Sequence, residues 1–467
     1  MCGIFGVYGV QDAAALTQLG LYSLQHRGQE SAGIVAVDDT GQARASRAMG
    51  LVSEGFGDDE MALLRGPIAI GHTRYSTAGA SAIENAQPIL ARVRRTHIAL
   101  AHNGNLTNAV ELRRDLEDQG AIFSSTMDSE AIVHRIARAE GRSPEERVAN
   151  ALRGVEGAYC LLVVLDGTVL VARDPHGWRP LVMGRLGDGW VFASESCALD
   201  IVGATLDREV QPGEIVAVDA LGMRSMQALP PAPINRCVFE HVYFARPDST
   251  VFGGSVDHSR RALGRQLAHE CPAHGADIVF AVPDSSNSAA LGYAEASGIA
   301  YELALIRNHY IGRTFIQPTQ AGRIAKVKVK YNPVRELLEG KRVVMVDDSI
   351  VRGTTTRGLV SLVRAAGARE VHMRVSSAPI ISPCYYGIDT PRREELIAAQ
   401  MTHEELVRHL GVDSLGYLSI DGMLSAMPNE PDGYCHACFS GRYPTNIPSE
   451  PELLRAGGAT PVTAGMS

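Results

Sequence analysis

"KRVVMVDDSIVRGTTTRGLVSLVRAAGA", residues 341–368, decides the architecture of the second half of this chain. Val343 to Val346 form a short, unbroken apolar run, the pattern of a strand buried on both faces of a parallel sheet. Asp347 and Asp348 fall at its carboxyl end, where open α/β sheets collect ligands. A polar loop follows, with Ser349, Arg352, Gly353 and Thr354 to Thr356, and runs into a helix. Glycine and small hydroxyl residues at a helix start form an anion cradle of backbone N–H groups. The acids would repel phosphate, so they suit sugar hydroxyls or a Mg²⁺ ion while the loop takes the phosphate. A capped surface turn is the bland alternative. Two carboxylates, a glycine and three threonines between one strand and one helix favour a site. The chain carries neither a G-x-x-x-x-G-K-[ST] loop nor a G-x-G-x-x-G fingerprint.

A second strand, loop and helix reads from "DIVFAVPDSSNSAALGYAEASG" (277–298), with Asp284, Ser285, Ser286, Asn287 and Ser288 at the strand end. Between Leu303 and Val334 stand six Lys or Arg residues and no Asp or Glu. A charge run is usually a solvated face. Beside an anionic site it also suits a lid that closes over the ligand and excludes water. These three elements resemble the phosphoribosyl-pyrophosphate (PRPP) signature of type I phosphoribosyltransferases, whose fold is α/β with a parallel sheet. The resemblance implies PRPP contacts from Asp347, Asp348, Ser349, Arg352, Gly353, Thr354, Thr355, Ser286, Arg313 and Lys326. It also implies one Mg²⁺ per subunit, at Ser285, Asp347 and Asp348.

The first half reads differently. "GIFGVYGV", "SAGIVAVDD", "PIAIGHTRYST" and "HIALAHNG" are short strands ending in polar turns, and "CLLVVLDGTVLVARD" is a hairpin about Asp166-Gly167. "DSEAIVHRIARAE" has helical spacing. The start, "MCGIFGVYG", places a thiol at position 2. No His adjoins it, but removal of Met1 would give Cys2 a free α-amine, a base with a pKa of about 7.7–8.0. Together with "LQHRGQESAG", "GHTRYSTAG", "AHNGNLTN" and "STMDSE", it resembles the class II glutamine amidotransferases. Those are N-terminal-nucleophile hydrolases with an αββα sandwich. Carried over, Cys2 is the nucleophile with its own amine as base, Asn103 and Gly104 form the oxyanion hole, and Arg74 and Asp128 bind glutamine.

A Pro-rich stretch, "LPPAPINRC" (229–237), separates the halves. Joined in this order, they resemble the amidophosphoribosyltransferase family over nearly the whole chain. The implied domains are a glutaminase at 2–232, a phosphoribosyltransferase at 233–445 and a tail at 446–467. The implied reaction is glutamine-dependent transfer of ammonia to C1 of PRPP, at the head of purine biosynthesis. Purine nucleotides (AMP, GMP, ADP) are the implied feedback inhibitors and a homotetramer the implied assembly. Rival readings are another class II amidotransferase and a non-catalytic PRPP- or purine-sensing regulator.

The 467 residues carry eight cysteines and a net charge of −8. The charge argues against a nucleic-acid partner, and no apolar run spans a membrane. A cytoplasmic, reducing setting is expected, so disulfides are not. Cys160, Cys197 and Cys271 read as small core hydrophobes. Cys435-x-x-Cys438 admits zinc and redox readings, and Cys237 and Cys384 stand too far off to be joined to it by spacing. The resemblance joins them: one subgroup of the family holds one [4Fe–4S] cluster per subunit on four cysteines so arranged, here Cys237, Cys384, Cys435 and Cys438.

Overall fold

In β1 (Gly3–Tyr8) neighbouring side chains part company. Ile4 joins an apolar cluster with Val35, Ile70, Leu162 and Val216, whereas Phe5 and Val7 join Leu21, Leu24 and Ile34. That is the period of two of a strand with both faces covered. In the computed structural model, residues 1–75, 81–93, 96–309, 329–390 and 392–447 are described. Arg313, Lys326 and most of the basic lid, together with the tail from 448 on, lie outside these residues.

The first half continues with β2 (Ser31–Val37), β3 (Ala43–Met49), β4 (Ile68–Arg74), β5 (Ile89–Val93), β6 (Thr96–Leu106) and β7 (Gly157–Leu165). Then follow β8 (Thr168–Arg173), β9 (Val182–Leu186), β10 (Gly189–Ala193), β11 (Thr205–Glu209), β12 (Glu214–Asp219) and β13 (Gly222–Gln227). They form two antiparallel sheets, ordered β11-β9-β10-β1-β4-β2-β3 and β13-β12-β8-β7-β6-β5. The cluster around Ile4 lies between them. Helix α1 (Ala13–Ser23) covers the outer face of the first sheet. Helices α2 (Ala109–Asp118), α3 (Ser129–Arg138) and α4 (Pro144–Leu152) cover that of the second through Leu112, Ile132, Ile136 and Val148. The layers are αββα, as expected. The predicted hairpin closes at Asp166 and Gly167, with φ of 52° and 75°.

Beyond the 229–235 stretch, which has no regular structure, β14 (Ile278–Ala281), β15 (Arg342–Asp347), β16 (Glu370–Val375) and β17 (Ser414–Tyr417) form a parallel sheet in that order. Val279, Val344 and Val346 pack toward α5 (Val256–Glu270) and α6 (Asn287–Ser297). Phe280, Val343 and Met345 pack toward α7 (Thr354–Ala365). Both faces are covered, which is why these strands are unbroken apolar runs. Cys160 and Cys197 are core residues as expected, but Cys271 is only half-buried, its thiol turned to the Tyr417 carbonyl.

Candidate active site

Two centres emerge, one in each half. In the first, β1 delivers Cys2, and the antiparallel register that sets Gly3 opposite Thr73 brings the end of β4 alongside it. The Cys2 thiol lies 3.7 Å from the Tyr75 carbonyl. From the second sheet, Asn103 Oδ1 accepts from the Cys2 backbone nitrogen at 3.3 Å. That bond orients the amide. Its other end, Nδ2, is buried with no hydrogen-bond partner among the described residues. A buried donor left unsatisfied costs about 1–3 kcal/mol, so it marks a place where an acceptor is expected.

Gly104 follows within β6 rather than in a turn beyond it, because pairing with β7 continues to Leu106 and Gly157. Its φ is 155°, and a Cβ there would sit 2.0 Å from the Ala158 carbonyl oxygen. Only glycine fits.

Asp128 stands at the N-cap position of α3. One carboxylate oxygen accepts from Leu106 N at 2.9 Å, and the other accepts from Ser129 Oγ at 3.1 Å and lies 3.7 Å from His102 Nδ1. Burial works against its charge, but these partners outweigh it and hold the carboxyl below its usual range. Arg74 is buried and paired with Glu30. Met1 is 1% exposed, and burial lowers its amine to about 6.

In the second centre, Asp347 ends β15 and Asp348 follows it. Ser286 Oγ donates to Asp347 at 3.1 Å, and Ser285 and Ser349 donate to Asp348 at 2.5 and 2.7 Å. Both loops expected at the site therefore meet there. Burial pushes both carboxyls up, and the charge of Asp348 pushes Asp347 further. Gly353, at φ 72°, turns the chain into α7, which begins at Thr354 and Thr355. Arg352 instead points to Glu395, in an exposed pair at 2.9 Å.

The four remaining cysteines also converge. Cys237 and Cys435 are direct partners in a short parallel bridge, and the Cys438 carbonyl accepts from Ile381 and Ser382, just ahead of Cys384. Burial raises Cys237 to about 11, and burial and neighbouring thiols push Cys435 and Cys438 up. Among the described residues, no three His, Cys, Asp or Glu side chains are grouped to hold a single metal ion.

Residues 72–200 match the glutamine amidotransferase domain family. The chain is 49% identical over 457 residues to amidophosphoribosyltransferase 2, chloroplastic, of Arabidopsis thaliana, covering 98% of this chain and 81% of the relative. It is 49% identical over 453 residues to the amidophosphoribosyltransferase of Bacillus subtilis (strain 168), covering 96% and 94%. The solved structure of the B. subtilis glutamine PRPP amidotransferase complexed with ADP and GMP aligns at TM-score 0.90 and 48% identity, over 96% of this chain and 98% of that one. The chain belongs to the amidophosphoribosyltransferase family.

This amidophosphoribosyltransferase fold also assembles residues to which the sequence assigned no role. Arg27 lies inside the "LQHRGQESAG" stretch, and its Nε donates to the Cys2 carbonyl at 3.2 Å. The 384–389 segment reaches from the cysteines to the first centre. Tyr386 stacks on Trp178 with centroids 3.9 Å apart, and Asn105 Nδ2 donates to the Tyr385 carbonyl at 3.0 Å. A Cβ on Gly387 would lie 2.9 Å from the Gly104 carbonyl carbon. No local pattern announces these contacts. The membrane expectation meets one fact: no helix among the described residues is long and apolar enough to cross a bilayer.

Proposed function

We propose that this chain makes 5-phosphoribosylamine, glutamate and pyrophosphate from glutamine, PRPP and water, the first step of de novo purine synthesis, and that its halves divide at 232/233 into glutaminase and phosphoribosyltransferase. The observation that carries the glutaminase reading is the orphaned Asn103 Nδ2, aimed away from a Cys2 nitrogen already held by the same side chain.

With Met1 removed, the Cys2 α-amine takes the thiol proton and the thiolate attacks the glutamine side-chain amide. Asn103 Nδ2 and the Gly104 N–H receive the oxyanion. Arg74, exchanging Glu30 for the substrate, holds the α-carboxylate, and Asp128 holds the α-amino group. The tetrahedral intermediate collapses to a γ-glutamyl thioester, and the recovered proton leaves with ammonia. Water then releases glutamate.

Ammonia must stay unprotonated to attack C1 of PRPP, which calls for a dry path between the centres. Asp347 and Asp348 hold the ribose hydroxyls, Ser286 and the 349–355 loop hold the phosphates, and Arg313 and Lys326 belong to the closing lid. Two adjoining carboxyls with raised pKa values, ringed by serines, fit a divalent cation at Asp347, Asp348 and Ser285. Bound there, Mg²⁺ would offset the charge developing on pyrophosphate.

The cysteine set fits a thiolate-bound centre, since such thiols ionise when a metal binds. A [4Fe–4S] cluster on Cys237, Cys384, Cys435 and Cys438 is preferred to one zinc on the resemblance to the cluster-bearing subgroup of the family. Its role would be structural, tying the 384–389 segment to Cys237. A cytoplasmic setting is part of the proposal. Inhibition by purine nucleotides is part of the proposal, supported by the ADP and GMP named in the B. subtilis structure. A homotetramer is its remaining element.

The test compares nitrogen donors. Cys2→Ala is expected to lose glutamine-dependent PRPP consumption and to keep turnover with ammonia. Loss of both activities, or of neither, would sink the two-centre reading.

A further inference from the structure

Four charged side chains that take no part in the proposed chemistry have no solvent exposure at all: Arg27, Arg179, Glu195 and Glu240. Arg27 is their hub. Its Nη2 lies 2.8 Å from both Glu240 carboxylate oxygens, and its Nη1 lies 2.5 Å from Glu195 Oε1. Its remaining donor, Nε, holds the Cys2 carbonyl. Arg179 Nη1 reaches Glu240 at 3.3 Å, while its Nε holds the Tyr386 carbonyl at 3.0 Å. Three of the four come from the first half. Glu240 comes from beyond the linker, in the helical turn Glu240–Phe244.

A buried ion quartet is a poor device for stability, because desolvation cancels most of what pairing returns. It is a good device for orientation. A guanidinium is planar with donors in a fixed fork, so two carboxylates on its Nη atoms dictate where Nε points. Without Glu240, one carboxylate remains. The fork then turns on Glu195 alone, and Nε leaves the Cys2 carbonyl.

We propose that Glu240 is a positioning residue for the Cys2 nucleophile: the second half supplies the carboxylate that locks Arg27, and Arg27 locks the backbone of Cys2. The proposal rests on the reading of Cys2 as nucleophile. It assigns the glutaminase centre a component from outside the 2–232 half.

The full chain tests it through Glu240→Gln and Glu240→Asp. Misplacing a nucleophile by about 1 Å costs on the order of a hundredfold in rate. Glu240→Gln is expected to lower kcat with glutamine by about that factor. The KM for glutamine should hold within about threefold, because Arg74 and Asp128 are untouched. Turnover with ammonia should hold within about twofold, which also certifies the fold. Alkylation of the Cys2 thiol by iodoacetamide should slow in parallel with kcat. Glu240→Asp keeps the quartet neutral but shortens the reach by one methylene. It should show the same split at smaller size, and it decides the matter alone if Glu240→Gln does not fold. The proposal is overturned if a folded variant keeps its glutamine kcat within twofold, or loses ammonia turnover in proportion. Cys2→Ala that still used glutamine would defeat the nucleophile reading itself, a separate failure.

Discussion

Gly387→Ala should disable glutamine use from a residue in the second half. The added Cβ would stand 2.9 Å from the Gly104 carbonyl carbon, and 3.1 Å from both its Cα and its oxygen. Optimal carbon contacts are about 3.5–4.0 Å, so the methyl is roughly half an ångström too close to backbone that has no rotamer to change. Gly104 cannot retreat, since the Ala158 carbonyl blocks the space where its own Cβ would be. Gly387 also sits at φ 99°, where a side chain adds about 1–2 kcal/mol of strain.

Removing one oxyanion donor costs about 2.7–4 kcal/mol, or 10²–10³ in kcat. A half-ångström shift of the Gly104 peptide forfeits part of that, so a loss of about 10- to 300-fold is expected with glutamine. Steady-state PRPP consumption, with glutamine and then with ammonia, reads the difference. Ammonia-driven turnover should stay within about twofold, and the melting temperature should fall by a few degrees, about 2–4 °C per kcal/mol or less in a chain of this size. A drop in melting temperature with glutamine kcat unchanged would refute the contact. Equal losses with both donors would refute its locality.

Asn103→Ala removes the orphaned donor and is expected to lower glutamine kcat by about 10²–10³, with ammonia turnover unaffected, in the same paired assay. Asp347→Asn relieves a carboxyl that burial and Asp348 disfavour; the free protein should melt higher while PRPP-dependent pyrophosphate release is lost. His72 and His241 are held neutral by burial, at about 3 and about 4. The unfolded chain binds those two protons near pH 6.5, so their stabilisation is complete above that pH and falls as pH drops toward 4, by roughly 4 kcal/mol at pH 5. His102, where Asp128 outweighs burial, acts in the opposite sense and offsets part of the loss. Urea midpoints against pH should therefore decline below 6.5, and His241→Phe should flatten the decline. Protein that keeps Met1, identified by intact mass, should turn over ammonia but not glutamine, since the enclosed Met1 amine lies one residue from the thiol it would have to serve.

The parts legible in the sequence were those whose chemistry is contiguous. Asp347 to Thr355 spans one strand end, one loop and one helix start, so its pattern is read within a dozen residues. The alternating strands of the first half and the unbroken ones of the second announced their sheets for the same reason. Gly104 was legible as a candidate but not in its setting: a strand pairing on to Leu106 replaced the expected turn, and its glycine marks a close approach of backbone. What was not legible depends on long separations. Glu240 meets Arg27 across 213 positions, and Asn105 meets Tyr385 across 280. No periodicity, spacing or composition links residues so far apart until the sheets have formed and the halves have closed. The cysteines show both cases at once, with Cys435-x-x-Cys438 visible as a motif and Cys237 tied to it only through a two-residue bridge.

The long-range contacts are those that bear on coupling. A glutaminase that fires without an acceptor wastes glutamine and releases ammonia into water, where it is protonated and lost as a nucleophile. On the proposed reading, chemistry at Cys2 needs two things held at once, the nucleophile and the oxyanion hole. The second half touches both. Glu240 bears on the nucleophile through Arg27, and Gly387 bears on the hole through Gly104. The two lines are not independent, because Arg179 holds Glu240 with one nitrogen and the Tyr386 carbonyl, next to Gly387, with others. Packed contacts of this kind are occupied or not, rather than graded. Such an arrangement suits a site that should work only when its partner is ready.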